Sequence, residues 1–87
     1  MTIERARDAA LALLAARSPD ASICPSEVAR AIAADGNWRL AMPVVHAAVD
    51  ALLEHRIVVI SWKGRPLASR AGPYRIKACA TYGGTDA

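Results

Sequence analysis

The sequence predicts one α+β domain with three helices and a small antiparallel sheet. Three stretches in the first two thirds of the chain carry apolar residues at helical spacing. A β-branched run and a segment that alternates apolar and basic residues follow in the last third, as expected of strands. Because 87 residues can form one hydrophobic core but not two, we assign a single domain to residues 1–80 and a loose tail to 81–87.

Two helices with a short strand between them are predicted first. Thr2 can cap a helix that runs to about Arg17, since its hydroxyl can accept a bond from an unpaired N–H of the first turn. A strand at 22–24 precedes Pro25, which suits the first helical position because its missing N–H would be unpaired there. The second helix runs to about Ala34. The predicted core residues are Ile3, Ala6, Ala10, Leu13 and Leu14 in the first helix and Val28, Ala29 and Ile32 in the second.

A third helix is expected to begin near Pro43, after a tight connector at 37–42. Helical periodicity divides it into an apolar inner face and a more polar outer face. The inner face is predicted to carry Val45, Ala48, Val49, Leu52 and Leu53, and the outer face Pro43, His46, Ala47, Asp50 and Glu54.

A strand, a wing loop and a final strand complete the prediction. Ile57–Ile60 is a β-branched run typical of a strand, and Lys63-Gly64 offers a turn after it. Gly72-Pro73 precedes the final strand at 74–78. Alternation should place Tyr74, Ile76 and Ala78 of that strand against the helices, with Arg75 and Lys77 on the opposite face.

This order of elements is typical of a winged helix-turn-helix domain. The most distinctive segments are ICPSEVAR (23–30), WR (38–39), MPVV (42–45), KG (63–64) and GPYRI (72–76). In these segments the chain resembles the DUF3253 family of small bacterial proteins, over nearly all of residues 3–77. The resemblance implies a winged-helix fold and carries no settled biochemical function.

Two positions depart from that family's pattern. The family often has Arg where His46 stands and Gly where His55 stands. His55 therefore replaces the usual left-handed helix terminator, a conformation that His adopts more readily than most residues.

Positive charge is concentrated in the last third of the chain. The formal net charge is +3, although residues 1–36 contain four Arg and five acidic residues. Clustered cations attract a phosphate backbone, whereas the alternative is a small strand whose charges only keep the surface soluble. No Asp or Glu occurs between Arg56 and Lys77, a segment that holds Arg56, Lys63, Arg65, Arg70, Arg75 and Lys77.

These charges favour DNA binding by the third helix and the wing. In helix-turn-helix proteins the start of this helix enters the major groove, where Arg39 is the best candidate to pair with guanine. The alternative for Arg39 is a local ion pair. Ser26 opens the second helix and can help to hold a phosphate, although Glu27 in the same turn favours simple capping. The candidate nucleic-acid-binding residues are Ser26, Arg39, Met42, His46, Lys63, Arg65, Arg70, Arg75 and Lys77.

The outer face of the third helix argues against this reading. It carries Asp50 and Glu54 and no basic residue, so it would repel a phosphate backbone. The alternative function is therefore an interaction module that docks a protein partner or a second copy of the chain. Trp38 and Trp62 leave the question open, because each can stack on a base or cover the core.

We expect no enzymatic activity, cofactor or bound metal. No nucleophile, base or metal-ligand set stands at workable spacing, and His46 and His55 project to opposite sides of one helix. Cys24 at a helix start is expected to fill a capping position.

The sequence favours a cytoplasmic protein without a membrane span. Cys24 and Cys79 lack CxxC spacing, and the acidic residues of the first eight positions are unlike a signal peptide. The apolar stretch at 9–16 is far shorter than a bilayer requires. The sequence does not decide whether the chain forms a homodimer, a state in which small domains gain stability by pairing.

Overall fold

The computed structural model describes residues 2–18, 20–33 and 36–79. Three helices and a four-stranded antiparallel sheet confirm the predicted α+β class, and their order is consistent with a winged helix-turn-helix domain. The predicted tail at 81–87 lies outside the described residues. The elements are α1 (Ile3–Ala15), β1 (Ser22–Ile23), α2 (Pro25–Ile32), α3 (Trp38–Glu54), β2 (Val58–Trp62), β3 (Arg65–Leu67) and β4 (Arg75–Ala78).

The sheet has the strand order β1-β4-β2-β3, with every neighbouring pair antiparallel. Ile76 of β4 is paired with Ile23 of β1 on one side and with Ile60 of β2 on the other. All three side chains are buried, so this face of the sheet packs against the helices. Lys77 pairs with the exposed Val59 and lies on the opposite face, as the alternation predicted.

The helices fill the core largely as their periodicity predicted. The buried stripe of α3 consists of Ala41, Val45, Ala48, Val49 and Leu52, and α2 buries Val28, Ala29 and Ile32. One core prediction is wrong: Ile3 is 46% exposed. It shares a face with the buried Ala6 but stands in the first turn of α1, before the first buried residue of that helix.

The third helix begins at Trp38, five residues before Pro43, so residues 38–42 of the predicted connector are part of the helix and Asn37 is its N-cap. Pro43 cannot donate its helical hydrogen bond, and this favoured a start near Pro43. Packing outweighs that loss, because Ala41 continues the buried stripe one turn backwards and is fully buried. As a consequence, Trp38 and Arg39 lie in the first turn of α3.

The wing contains a strand that the sequence did not predict. Lys63 and Gly64 both have positive φ angles, of 51° and 81°, and form a two-residue turn between the paired residues Trp62 and Arg65. The following strand, β3, tolerates Pro66 because it lies at the edge of the sheet. We call the β2–β3 hairpin together with residues 68–74 the wing.

The end of α3 corrects the expectation for His55. His55 has a φ of −86°, and the left-handed residue is Arg56, with a φ of 59°. The N–H of Ile57 donates to the carbonyl of Leu52 (2.9 Å) and that of Arg56 to the carbonyl of Leu53 (3.0 Å). This pair of bonds is a Schellman motif, in which the left-handed position follows the C-cap.

Candidate nucleic-acid interface and adjoining pocket

The start of α2 is capped from within the chain. Cys24 is the N-cap residue, as predicted, and its N–H donates to Oε2 of Glu27 (2.8 Å). The other carboxylate oxygen, Oε1, accepts a bond from Nη2 of Arg17 (2.6 Å). The hydrogen bond from Arg17 is the main cause that lowers the pKa of Glu27, followed by the bond from Cys24. The Glu27 carboxylate thus caps the start of α2, which was the alternative to phosphate binding at Ser26.

Two arginines stack on the first residue of α3. The guanidinium carbon of Arg39 lies 4.6 Å from the centroid of the Trp38 ring, and that of Arg30, from α2, lies 4.7 Å from it. Both arginines are exposed, and Trp38 is half-buried. Cation–π contacts of this kind hold a guanidinium in place without neutralising it. In the described part of the chain, Arg39 forms no ion pair. Its contact there is with the Trp38 ring, and not with a carboxylate as the alternative prediction had it.

Arg30 is a member of this cluster that the sequence analysis did not select. Its outward position in the last turn of α2 was visible, but only the fold brings that turn beside Trp38. We call Arg30, Trp38 and Arg39 the arginine–tryptophan cluster.

The wing cation Arg70 pairs with an acidic residue of α3. Nε and Nη2 of Arg70 donate to the two carboxylate oxygens of Asp50, at 2.7 and 2.8 Å. The hydrogen bond from Arg70 holds the pKa of Asp50 below its usual value. Arg70, predicted to bind a phosphate, and Asp50, predicted to repel one, therefore neutralise each other's charge.

The remaining basic residues of the wing and β4 are divided between two faces of the sheet. Arg75 donates from Nε to Oγ of Ser22 (2.7 Å) and from Nη2 to the Ser22 carbonyl (3.1 Å), which ties β4 to β1. Lys77 shares that outer face. Arg65, in contrast, pairs with Trp62, which continues the inward-facing alternation of Val58 and Ile60. Lys63 and Arg65 are exposed and form no ion pair within the residues that the structure describes.

A pocket with a volume of about 410 Å³ lies between α3, the start of α2 and the wing. Trp38 and Trp62 both line it, so the start of α3 and the end of β2 border the same hollow. Met42 and His46, which were predicted to approach base edges, also line the pocket and are only partly exposed. The full lining consists of Cys24, Pro25, Ser26, Trp38, Met42, His46, Trp62, Gly72, Pro73 and Tyr74.

His46 and Tyr74 form a hydrogen-bonded pair in the pocket wall. Nδ1 of His46 lies 2.8 Å from the hydroxyl oxygen of Tyr74, and the two rings are 5.7 Å apart at 51°. Burial lowers the pKa of His46, with a further contribution from the charge of Arg70, and burial raises the pKa of Tyr74 to about 12. Burial therefore favours the neutral form of both side chains.

Comparison with known proteins decides the family. A family model described as a protein of unknown function (DUF3253) matches residues 4–79. The chain belongs to the DUF3253 family. No curated protein matches the sequence of this DUF3253 protein. Within its described residues, no helix has both the length and the apolar character needed to cross a membrane.

Proposed function

We propose that this DUF3253 protein binds double-stranded DNA through the arginine–tryptophan cluster and the turn of the β2–β3 hairpin. The observation that supports this most is the position of the cluster, which places two exposed guanidinium groups at the start of α3. In helix-turn-helix proteins the start of the recognition helix approaches the major groove, and α3 holds that place in this chain.

The stacking on Trp38 suits these arginines to a phosphate or a guanine edge. An arginine has five N–H donors, and stacking through its flat face leaves the donor edges free for a bidentate contact. A side chain that is already held against an indole also loses less conformational entropy when it binds. Both effects favour Arg30 and Arg39 over an unsupported surface cation.

The hairpin turn can extend this surface. Trp62 and Trp38 line one pocket, and Lys63 directly follows Trp62, which supports a surface that runs from the start of α3 to the hairpin turn. The ion pair of Asp50 with Arg70 also reduces the repulsion that the acidic face of α3 would exert. Arg75 and Lys77 are left out of the proposed contact because they lie on the outer face of the sheet. The proposed contacts are Arg30, Arg39, Lys63 and Arg65.

The test is a titration of a labelled duplex by fluorescence anisotropy at several salt concentrations. Three or four phosphate contacts predict a slope of log K against log salt between about −2.7 and −3.6, since each contributes about −0.9. Arg39→Gln should weaken binding by about 1–3 kcal/mol if the side chain reads guanine. Lys77→Gln removes the same charge from the outer face and serves as the matched control. Equal losses in the two variants, or an affinity that does not change with salt, would overturn the proposal.

One observation favours a protein partner as a second candidate. Leu40, in the first turn of α3, is 74% exposed. A large apolar side chain at that position suits a contact with another protein or with a second copy of the chain. Leu40→Ser should then change the mass measured by sedimentation or abolish capture of a partner, and leave the duplex titration unchanged.

We also propose that the protein is cytoplasmic. Cys24 carries a free thiol, and reduced cysteines are the rule in that compartment. Labelling of the thiol in intact cells and in lysate would test this assignment.

A further inference from the structure

We propose that the pocket between α3, the start of α2 and the wing binds a small planar aromatic anion. Its volume of about 410 Å³ lies within the range of small-molecule sites, which runs from about 300 to 1,000 Å³. The pocket adjoins the proposed DNA-binding surface and shares Trp38 with it, but this inference does not depend on DNA binding because it is argued from the pocket lining alone.

The walls of the pocket suit a flat apolar ring. Trp38, Trp62 and Tyr74 contribute aromatic surface, and Met42 adds a polarisable side chain that adapts to a ring edge. Trp62 is 38% exposed even though it stands on the inward-facing side of β2. It also borders a second, smaller hollow formed with Leu67, Ala71, Gly72 and Pro73. A ligand that covered Trp62 would therefore remove apolar surface that the fold itself leaves open.

Two polar groups are available to orient such a ligand. Nδ1 of His46 is engaged with Tyr74, so Nε2 is the ring nitrogen that remains for another partner. The Ser26 hydroxyl also lines the pocket, and neither it nor Nε2 has a hydrogen-bond partner among the described residues. A few polar groups within an apolar lining are typical of sites that fix the orientation of a small molecule.

The charge around the pocket determines the sign of the ligand. Among the residues that the structure describes, none that lines the pocket is acidic. Arg30 and Arg39 stack on Trp38 at its edge, and Arg70 acts on His46 through its charge. Two acidic residues of the elements that border the pocket are paired with arginines of the described chain, Glu27 with Arg17 and Asp50 with Arg70. An anionic group on the ring would be attracted by the positive charge of Arg30 and Arg39 in the arginine–tryptophan cluster.

The test uses naphthalene-1-acetate as the probe, without DNA. The two tryptophans of the chain give two indole N–H signals in a ¹H–¹⁵N spectrum, and both residues line the pocket. We expect both signals to shift in a saturable manner, with a Kd of about 1 mM or tighter for a ligand of this size. The neutral amide of the same probe should bind about ten-fold more weakly, and cyclohexaneacetate should not bind.

Variants separate the pocket from unspecific binding. Trp62→Leu should weaken probe binding at least several-fold, with the Trp38 signal as the remaining reporter. Val59→Leu changes an exposed residue of the same strand on the opposite face and should leave binding unchanged. The thermal unfolding midpoint verifies that both variants fold. Absence of a saturable shift, equal binding of acid and amide, or full binding by a folded Trp62→Leu variant would each overturn the inference. None of these results bears on the duplex titration.

Discussion

Arg70 binds both carboxylate oxygens of Asp50, through hydrogen bonds of 2.7 and 2.8 Å. A second polar contact lies one helical turn away, where His46 of α3 meets Tyr74 of the wing. Arg70 and Tyr74 are four positions apart in the wing, and His46 and Asp50 are four positions apart in α3. The segment 70–74 is therefore bound to α3 at two successive helical turns. The geometry of the wing against the helix therefore depends on this pair of contacts.

Substitutions of Asp50 and of Arg70 should change the affinity for DNA in opposite directions. Arg70→Gln removes a cation and exposes the charge of Asp50, so we expect weaker binding of duplex DNA. Asp50→Asn should strengthen binding, because Arg70 then becomes available. The double variant should return close to the wild-type affinity, which a double-mutant cycle measures. The pair is partly exposed, so its contribution to the free energy of unfolding should stay below about 1 kcal/mol.

Lys63→Asn should separate the charge of the hairpin turn from its conformation. Lys63 and Gly64 both have positive φ, and Asn-Gly is the preferred pair for such a turn. The variant should raise the free energy of unfolding by roughly 0.5–1 kcal/mol, measured in urea, and at the same time weaken DNA binding. Lys63→Gln, which lacks the turn preference, should weaken DNA binding equally without the gain in stability. Unchanged DNA affinity in both variants would exclude Lys63 from the interface.

Arg56→Gly should stabilise the protein. Arg56 is the left-handed residue that ends α3, and a non-glycine residue in this conformation costs about 1 kcal/mol. For a domain of this size, 1 kcal/mol corresponds to a rise of about 4–8 °C in Tm. His55→Gly is the informative comparison, since His55 has a negative φ and glycine there should lower the Tm. The reverse order of the two Tm values would contradict the assignment of Arg56 as the terminator.

His46 should make stability depend on pH in the weakly acidic range. Its pKa in the folded protein lies below the ordinary value of 6.5, so between these two values the unfolded chain binds more protons. The contribution of neutral His46 to the free energy of unfolding is therefore fully present above about pH 6.5, and it is lost as the pH falls through the pKa of His46 in the folded state. His46→Gln should flatten this dependence of the urea midpoint between pH 5 and 7.5. An unchanged slope in the variant would assign the effect to another group.

Local periodicity accounts for much of what the sequence predicted correctly. The inward positions Val45, Val49 and Leu52 follow from the repeat of an α-helix, and Ile76 follows from alternation in a strand. The start of α3 was predicted incorrectly from periodicity and local preference. The preference of Pro43 for the first turn of a helix competed with the burial of Ala41, which favours an earlier start. Such a competition is decided by tertiary packing, which the linear sequence does not contain.

The sequence indicated part of the proposed interface but none of its contacts. Arg39 was selected from its charge and its place at the start of the third helix, and Lys63 from its charge and its place in the wing. Arg70 and Asp50 are twenty positions apart and meet only when the wing closes on α3. The contact of Arg30 with Trp38 likewise requires the turn between α2 and α3. A sum of charges along the chain therefore overestimates the cations that remain unpaired in the fold.

The position of β4 between β1 and β2 has a consequence for synthesis. Residues 22–23 find their sheet partners only at residues 76–77, near the far end of the domain. While the ribosome still holds that segment in its exit tunnel, the nascent helices can form, but the sheet against which they pack is incomplete. We therefore expect the domain to gain protease resistance only after β4 has emerged, as arrest of translation at successive lengths would reveal.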